Sequence, residues 1–178
     1  MMAAEHPALA VTFQICFRAA RADDLPKLEW YGAYAHFREL FARSFREQQL
    51  GRRLMLIADS GGFPVGHIFL QYTSGALMDT EAGQRSYLYS LRVMDMFQRR
   101  GIGTRLIHEA ESVLRVKGTR WATIAVAKDN IQAIRLYERL GYWIFSDDPG
   151  IWSYRDHEGT TRTVYEPCWL LQKEINLR

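Results

Sequence analysis

Residues 86–118 read SYLYSLRVMDMFQRRGIGTRLIHEAESVLRVKG. Three patterns follow one another in this stretch. Residues 86–94 alternate in the manner of a strand. Residues 102–117 set Ile102, Leu106, Ile107, Ala110, Val113 and Leu114 on one helical face, and Gly118 stops that helix. Between them lies Gln98-Arg99-Arg100-Gly101-Ile102-Gly103-Thr104, a strand–loop–helix junction with two glycines at its turn. A glycine has no Cβ, so its amide can approach a ligand closely. The amides of a helix's first turn have no intrahelical partner, and the helix dipole puts about half a positive charge there. With Arg99 and Arg100 added, the junction reads as an anion site. The dipole alone is worth only about 0.3–1 kcal/mol when exposed, so several amides must act together to hold a pyrophosphate.

The kind of anion is narrowed by what is missing. A Walker loop needs GxxxxGK[ST], which the chain lacks. A dinucleotide fingerprint needs a third glycine at position 106, which is Leu106, and it belongs after the first strand of a βαβ unit rather than after a hairpin. A glycine-assisted tight turn with solvated arginines is the plain alternative for the GxG taken alone.

Outward from this junction, strands and helices alternate. Residues 12–18 (TFQICFR) alternate as a half-buried strand, and Asp23-Asp24 cap a short helix through Trp30. Residues 34–50 have helical spacing in Phe37, Leu40, Phe41, Phe45 and Leu50. Residues 53–58 (RLMLIA) and 65–72 (VGHIFLQY) are strands about a hairpin turn at Ser60-Gly61-Gly62. A polar loop at 73–84 carries Gly75 and Gly83. Beyond the junction come a strand at 121–126 (WATIAV), a helix at 131–140 ended by Gly141, and apolar strands at 142–146 (YWIFS) and 164–171 (VYEPCWLL) around a loop at 147–163. Pro167 inside the last strand implies an edge or a bulge. The expected fold is α/β of the α+β type: a mixed, mostly antiparallel sheet of about seven strands with helices on both faces. Residues 1–10 read as a disordered tail and 11–178 as one domain.

Here the sequence resembles the GNAT family of N-acetyltransferases. Its signature Gln/Arg-x-x-Gly-x-Gly/Ala is matched by residues 98–103, and Val93 stands where the family ends the preceding strand. A second block follows in order: Val126, Asn130, Ile134, Tyr137, and Leu140-Gly141-Tyr142. The resemblance is dense over residues 86–146 and departs at Asp95, where many members have proline.

The resemblance implies an acyltransferase, a GNAT-like acyl-CoA N-acyltransferase fold, and acetyl-CoA as cosubstrate with no metal required. It puts Gln98, Arg99, Arg100, Gly101, Ile102, Gly103 and Thr104 on the pyrophosphate, and the backbone of Leu91 and Val93 on pantetheine, as an added strand would pair. A backbone amide near Val93 would polarise the thioester carbonyl. Asn130 is implied to touch the cofactor; it equally suits a helix cap. Tyr137 is implied as general acid for the departing thiolate. With reference values of about 10 for tyrosine and 8.5 for a thiol, full transfer is uphill by roughly 2 kcal/mol, so a strengthening hydrogen bond is the more economical role. Relatives often keep a carboxylate or histidine base where this chain has Tyr89 and Tyr87; these two then line the acceptor site, with cross-strand packing as the plain alternative. Glu29, Glu81, Asp79 and His67 are the remaining candidate bases.

The acceptor side falls to residues 30–45, 73–84 and 147–163, with Trp30, Tyr31, Tyr34, His36, Phe37, Trp152 and Tyr154 as a pocket for an apolar or cationic acceptor. Asp147, Asp148, Asp156 and Glu158 would attract a cationic amine if they were not simply solvated. The 178 residues carry a net charge of +3, with basic residues spread along the chain, which argues against nucleic acid as main partner. Apolar residues make up 48%, enough for a core, yet no run is long enough to cross a bilayer. Cys16 and Cys168 read as separate buried thiols in a reducing, cytoplasmic setting, and Met1 to Ala10 does not read as a signal peptide. The expected partner is a small-molecule or peptide amine, with no nucleic acid and no membrane. A catalytically silent coenzyme A sensor is the competing class, and the sequence leaves the oligomeric state open, a homodimer included.

Overall fold

The computed structural model describes residues 11–72 and 85–175. Residues 1–10 and the loop at 73–84, with Asp79 and Glu81, lie outside the described residues. Nine strands and three α-helices run in chain order among the described residues. They are β1 (Cys16–Ala19), α1 (Arg38–Gln49), β2 (Arg53–Ser60), β3 (Phe63–Gln71), β4 (Arg85–Val93), α2 (Ile102–Val116), β5 (Trp121–Ala127), α3 (Ile131–Arg139), β6 (Trp143–Asp148), β7 (Ile151–Arg155), β8 (Thr161–Tyr165) and β9 (Cys168–Glu174). Seven of the strands form one sheet in the order β1-β2-β3-β4-β5-β9-β6, and β7-β8 is a separate hairpin. Every pairing is antiparallel except β4 with β5. The mixed, seven-stranded sheet expected from the sequence is thus present.

Alternation along the strands divides the core in two. Leu56, Ala58, Ile68, Leu70 and Leu88 face α2 and α3, meeting Leu106, Ile107, Leu114 and Ile134. Met55, Ile57 and Phe69 face the other way and pack with Leu28 and Phe41. A side chain such as Leu106, with no exposed surface, contributes on the order of 2–5 kcal/mol against truncation to alanine. The hairpin between β2 and β3 closes on Gly61 and Gly62, both in the left-handed region.

The strand expected at 12–18 begins only at Cys16, whose thiol, read as buried, is exposed, and three further stretches differ from the sequence reading. The helix expected after Asp23-Asp24 is two 3-10 turns, Ala22–Asp24 and Lys27–Glu29, separated by Pro26 and ended by Trp30 at φ 42. Asp24 is no simple cap: it is buried and takes both guanidinium nitrogens of Arg18, at 2.6 and 2.9 Å, and the Arg21 amide. The loop expected at 147–163 holds β7 and the start of β8. Pro167 sits inside no strand; it breaks the chain between β8 and β9, because it has no amide to continue a ladder. Gly150 anchors this hairpin. Its φ is +65, and a Cβ there would lie 1.6 Å from the Glu166 carbonyl oxygen, whose own amide bonds to Gly150. At the sheet's edge, β6 leaves Trp143, Ile144 and Phe145 exposed.

His67 on β3 has no exposed surface, and neither ring nitrogen has a hydrogen-bond partner. It stacks on Phe69 at 4.9 Å and sits against Trp30 and Phe41. Burial, helped by the nearby Arg92, drives its pKa well below 6.5. The unfolded chain takes up this proton near pH 6.5, while the folded chain resists it. Stability should therefore hold above about pH 6.5 and fall as the pH drops below it. Asp24 and Glu29 carry lowered carboxyl pKa values, so their losses come at more acidic pH. Denaturant melts of wild type and His67→Leu between pH 7.5 and 5 should show a slope that the variant lacks; identical slopes would remove His67 as the cause.

Candidate active site

The site begins where two strands part. β4 pairs with β5 only from Arg85↔Trp121 to Leu88↔Ile124. Past that point β5 continues with β9 as far as Ala127↔Cys168, and β4 continues with β3 as far as Val93↔Gly66. The β5-facing edge of β4 from Tyr89 to Val93 is left without a strand partner.

A bulge accompanies the parting. Arg92 pairs with His67 and Tyr89 with Phe69, so Ser90 and Leu91 together face the single residue Ile68. Ser90 takes the left-handed conformation at φ 56 that this requires. An extra residue in one strand reverses which face each later side chain meets. Tyr87 and Tyr89 therefore stack on the α1 face, 5.7 Å apart, while Leu91 and Val93 pack with Leu88 in the α2–α3 core. The same reversal sends Arg92 to the face of Tyr89 and His67.

The loop after β4 is short and braced. Phe97 is buried and fixes the 3-10 turn Asp95–Phe97. The Gln98 side-chain amide donates to the Val93 carbonyl at 2.9 Å and to Asp95 Oδ1 at 2.8 Å, tying the loop to the end of β4. Arg99 and Gly101 both have positive φ, 57 and 81. The first helical amide to find a backbone acceptor is that of Arg105, on the Gly101 carbonyl. Among the described residues, the amides from Arg99 to Thr104 have no backbone acceptor. Arg99 and Arg100 are exposed beside them. This cluster of bare amides at a helix start fits a phosphate-bearing ligand.

Across the parting stands α3. Asn130 caps it, its side chain accepting from the Ala133 amide at 3.1 Å, so the cap reading of the sequence is realised. Tyr137 points into the core beside Tyr142 and is 6 % exposed. Burial, with a smaller contribution from Tyr87, pushes its hydroxyl up to about 12. Tyr87 is pushed up to about 12 as well, by burial first and then by Cys168, Asp148 and Tyr89. Tyr137 thus senses a tyrosine fifty residues away in the chain, and both keep their protons at neutral pH.

The side expected from the sequence to receive the acceptor is aromatic. Phe37 meets Tyr154 at 4.9 Å and Trp152 at 6.3 Å, joining the chain before α1 to the β7–β8 hairpin, and Tyr34 stacks on Phe37. A cavity of about 580 Å³ runs between Trp30, Ala33 and Tyr34 on one side and Leu91 to Met96 and Gln98 on the other. Trp30 is chiefly a wall, its indole N–H fixed on the Pro64 carbonyl at 2.8 Å. Tyr31, by contrast, is exposed and stacks on Phe63 away from this group.

The sequence-level bases fare poorly. Glu29 accepts two bonds from Arg38, at 2.6 and 2.8 Å, which hold its pKa below the ordinary value. His67 is sealed in the core. Asp156 does not face a substrate: it is buried and caps its own turn through the amides of Glu158 and Thr160 and through Arg162. Asp147 pairs with Lys128 at 3.1 Å, and Asp148 accepts from the Gly150 amide. Arg92, which lines the cavity with its guanidinium over Tyr34 and Phe37, was not singled out by sequence pattern. Its only signal was a charge inside an otherwise apolar and aromatic strand.

A sheet that parts beside a bare-amide loop defines the acyl-CoA N-acyltransferase fold. The sequence model of the acetyltransferase (GNAT) family matches residues 18–142, and the chain belongs to that family. The ribosomal-protein-S18-alanine N-acetyltransferase of Escherichia coli superposes with a TM-score of 0.70 at 20% identity, covering 93% of this chain and 96% of that one. Arabidopsis thaliana NAA60 in complex with acetyl-CoA superposes at 0.67 and 22% identity, covering 92% and 99%. Among curated proteins, the chain is 32% identical over 79 residues to mouse thialysine N-epsilon-acetyltransferase, covering 44% of this chain and 46% of that protein. It is 28% identical over 116 residues to the probable N-acetyltransferase camello of Xenopus tropicalis, covering 64% and 53%. The chain thus spans about half the length of these curated relatives.

Gly101 gives a direct test of the loop. At φ +81 a side chain is strained, yet a Cβ there would meet no atom within 4 Å, so the rest of the fold is under no pressure to change. Gly101→Val is expected to lower affinity for coenzyme A at least tenfold, by calorimetric titration, with an unchanged circular dichroism spectrum. Wild-type affinity in this variant would take the loop out of the site.

Proposed function

We propose that this chain moves an acetyl group from acetyl-CoA to the primary amine of a small-molecule or peptide acceptor, by direct transfer with both substrates bound. The observation that carries this reading is the unpaired edge of β4, ending at the amide loop. The backbone of Leu91 and Val93 aligns pantetheine along that edge, as an added strand would. The amides of Arg99 to Thr104, with the charges of Arg99 and Arg100, hold the pyrophosphate. Gln98 supports them by bracing the loop, and Asn130 sets the start of α3. A backbone amide near Val93 polarises the thioester carbonyl, where negative charge develops. The structures of NAA60 and of Salmonella typhimurium yncA with acetyl-CoA make it the natural donor to consider.

Tyr137 then assists the departing sulfur. With its hydroxyl near 12 and a thiol near 8.5, complete proton transfer would be uphill by about 5 kcal/mol. Tyr137 therefore keeps its proton and donates a hydrogen bond that strengthens as charge builds on sulfur. Tyr87, Tyr89, Tyr34 and Trp30 line the side from which the amine enters.

A catalytically silent coenzyme A sensor is the second reading. It is favoured by one observation: Glu29 is tied to Arg38 and His67 is sealed, so neither serves as base. An acceptor amine of low pKa needs none. Release of free thiol from acetyl-CoA over an amine library separates the two. Under the transfer reading, Tyr137→Phe should lose about 10²-fold in kcat with the KM for acetyl-CoA changed less than threefold. Full kcat in the variant would exclude Tyr137 from the chemistry, and no turnover with any amine, despite tight coenzyme A binding, would favour the sensor.

A further inference from the structure

Arg92 occupies an unusual position for a charged side chain. It stands near the end of β4, next to Val93, and the bulge at Ser90 and Leu91 turns it away from the α2–α3 core and onto the acceptor face. There its guanidinium lies over the rings of Tyr34, at 4.9 Å, and Phe37, at 5.1 Å, and one of its nitrogens donates to Ser90 Oγ. It lines the 580 Å³ cavity together with Tyr34, Trp30 and Val93. Among the described residues, no carboxylate comes within ion-pair distance of it. Glu166 attracts it from further away, and His36 and His67, the other titratable groups that sense it, carry pKa values lowered in part by its charge.

The physical consequence follows from geometry. A guanidinium has two flat faces and an edge of five N–H donors. Tyr34 and Phe37, stacked 6.3 Å apart, both lie to one side of it, a placement that cation–π attraction favours. Its edge donates to the Ser90 and Tyr34 hydroxyls, which are neutral partners. A cation largely removed from water and met only by neutral groups is costly unless an anion completes it. Burial accordingly lowers the pKa of Arg92 below its ordinary value, against the pull of Tyr34 and Glu166.

We propose that Arg92 anchors a carboxylate carried by the acceptor, so that the favoured acceptors are amino acids or other short amino carboxylates rather than simple polyamines. This deepens the acetyl-transfer reading and rests on it. The fork of Arg92 takes the carboxylate side-on, Tyr34 and Phe37 hold the fork in place, and the position beside Val93 leaves the amine of the same molecule to face the open edge of β4. Lysine would not substitute fully, because its point charge lacks the planar fork.

The test compares each acid with its own amide. α-Amino acids and ω-amino carboxylates of two to six carbons, and the primary amide of each, are titrated calorimetrically into the protein saturated with coenzyme A. The best-binding acid should bind at least tenfold more tightly than its amide. In Arg92→Met that ratio should collapse to about one, and Arg92→Lys should recover part of it. Thermal melting checks that the variants fold, and the wild-type ratio tests the proposal without them. Equal wild-type affinities for acid and amide would overturn the proposal alone, as would a ratio that persists in Arg92→Met. Failure of wild type to bind coenzyme A at all would overturn the acetyl-transfer reading and this proposal with it.

Discussion

One extra residue in β4 sets the rest of the site. Ser90 and Leu91 face Ile68 together, and Ser90 takes a left-handed backbone where the ladder to β3 skips a residue. A bulge bends its strand and increases the local twist. Here β4 stays with β3 while β5 stays with β9, so the strands diverge and an edge of backbone is left bare in the middle of a sheet. Such an edge normally invites another strand. In this fold it is narrow, lies between two packed layers, and ends at the amides of residues 99–104. That confinement suits a slender, amide-bearing ligand with a charged end better than a second polypeptide.

The electrostatics of the two sides differ for related reasons. On the loop side, positive charge comes from exposed backbone amides, the helix start and two solvated arginines, none of which needs burial. Away from the loop, burial acts on neutral groups. Tyr137 and Tyr87 are both pushed up to about 12, so both stay protonated across the neutral range. Arg92 is the exception, a charge drawn inward by aromatic rings. Its tolerance of burial depends on Tyr34 and Phe37, and their placement depends on the chain before α1 and on Trp152 and Tyr154 of the hairpin.

That hairpin, β7–β8, shows how a long connection becomes part of a site. Its root is fixed at Gly150, where the Glu166 backbone passes too close for any side chain, and its turn is fixed by Asp156. With both ends held, Trp152 and Tyr154 meet His36 and Phe37 across the cleft. The aromatic wall is thus built from segments between the regular elements, on a sheet whose register is set by the core.

Local pattern was sufficient for the strand–loop–helix at 86–118, the helical face of α2, the cap at Asn130 and the number of sheet strands. These depend on periodicities of two and 3.6 residues and on glycines whose conformational freedom is intrinsic, so they are written within a few residues of each other. Strict alternation, however, puts Tyr87, Tyr89, Leu91 and Val93 on one face of β4. The bulge separates the tyrosines from the apolar pair and turns Arg92 onto the acceptor side. Register across β3 and β4, the nearness of Tyr87 and Tyr137, the capping duty of Asp156 and the strands within 147–163 were likewise decided only in three dimensions. Each depends on which distant segment supplies the partner, and spacing along the chain carries no record of that.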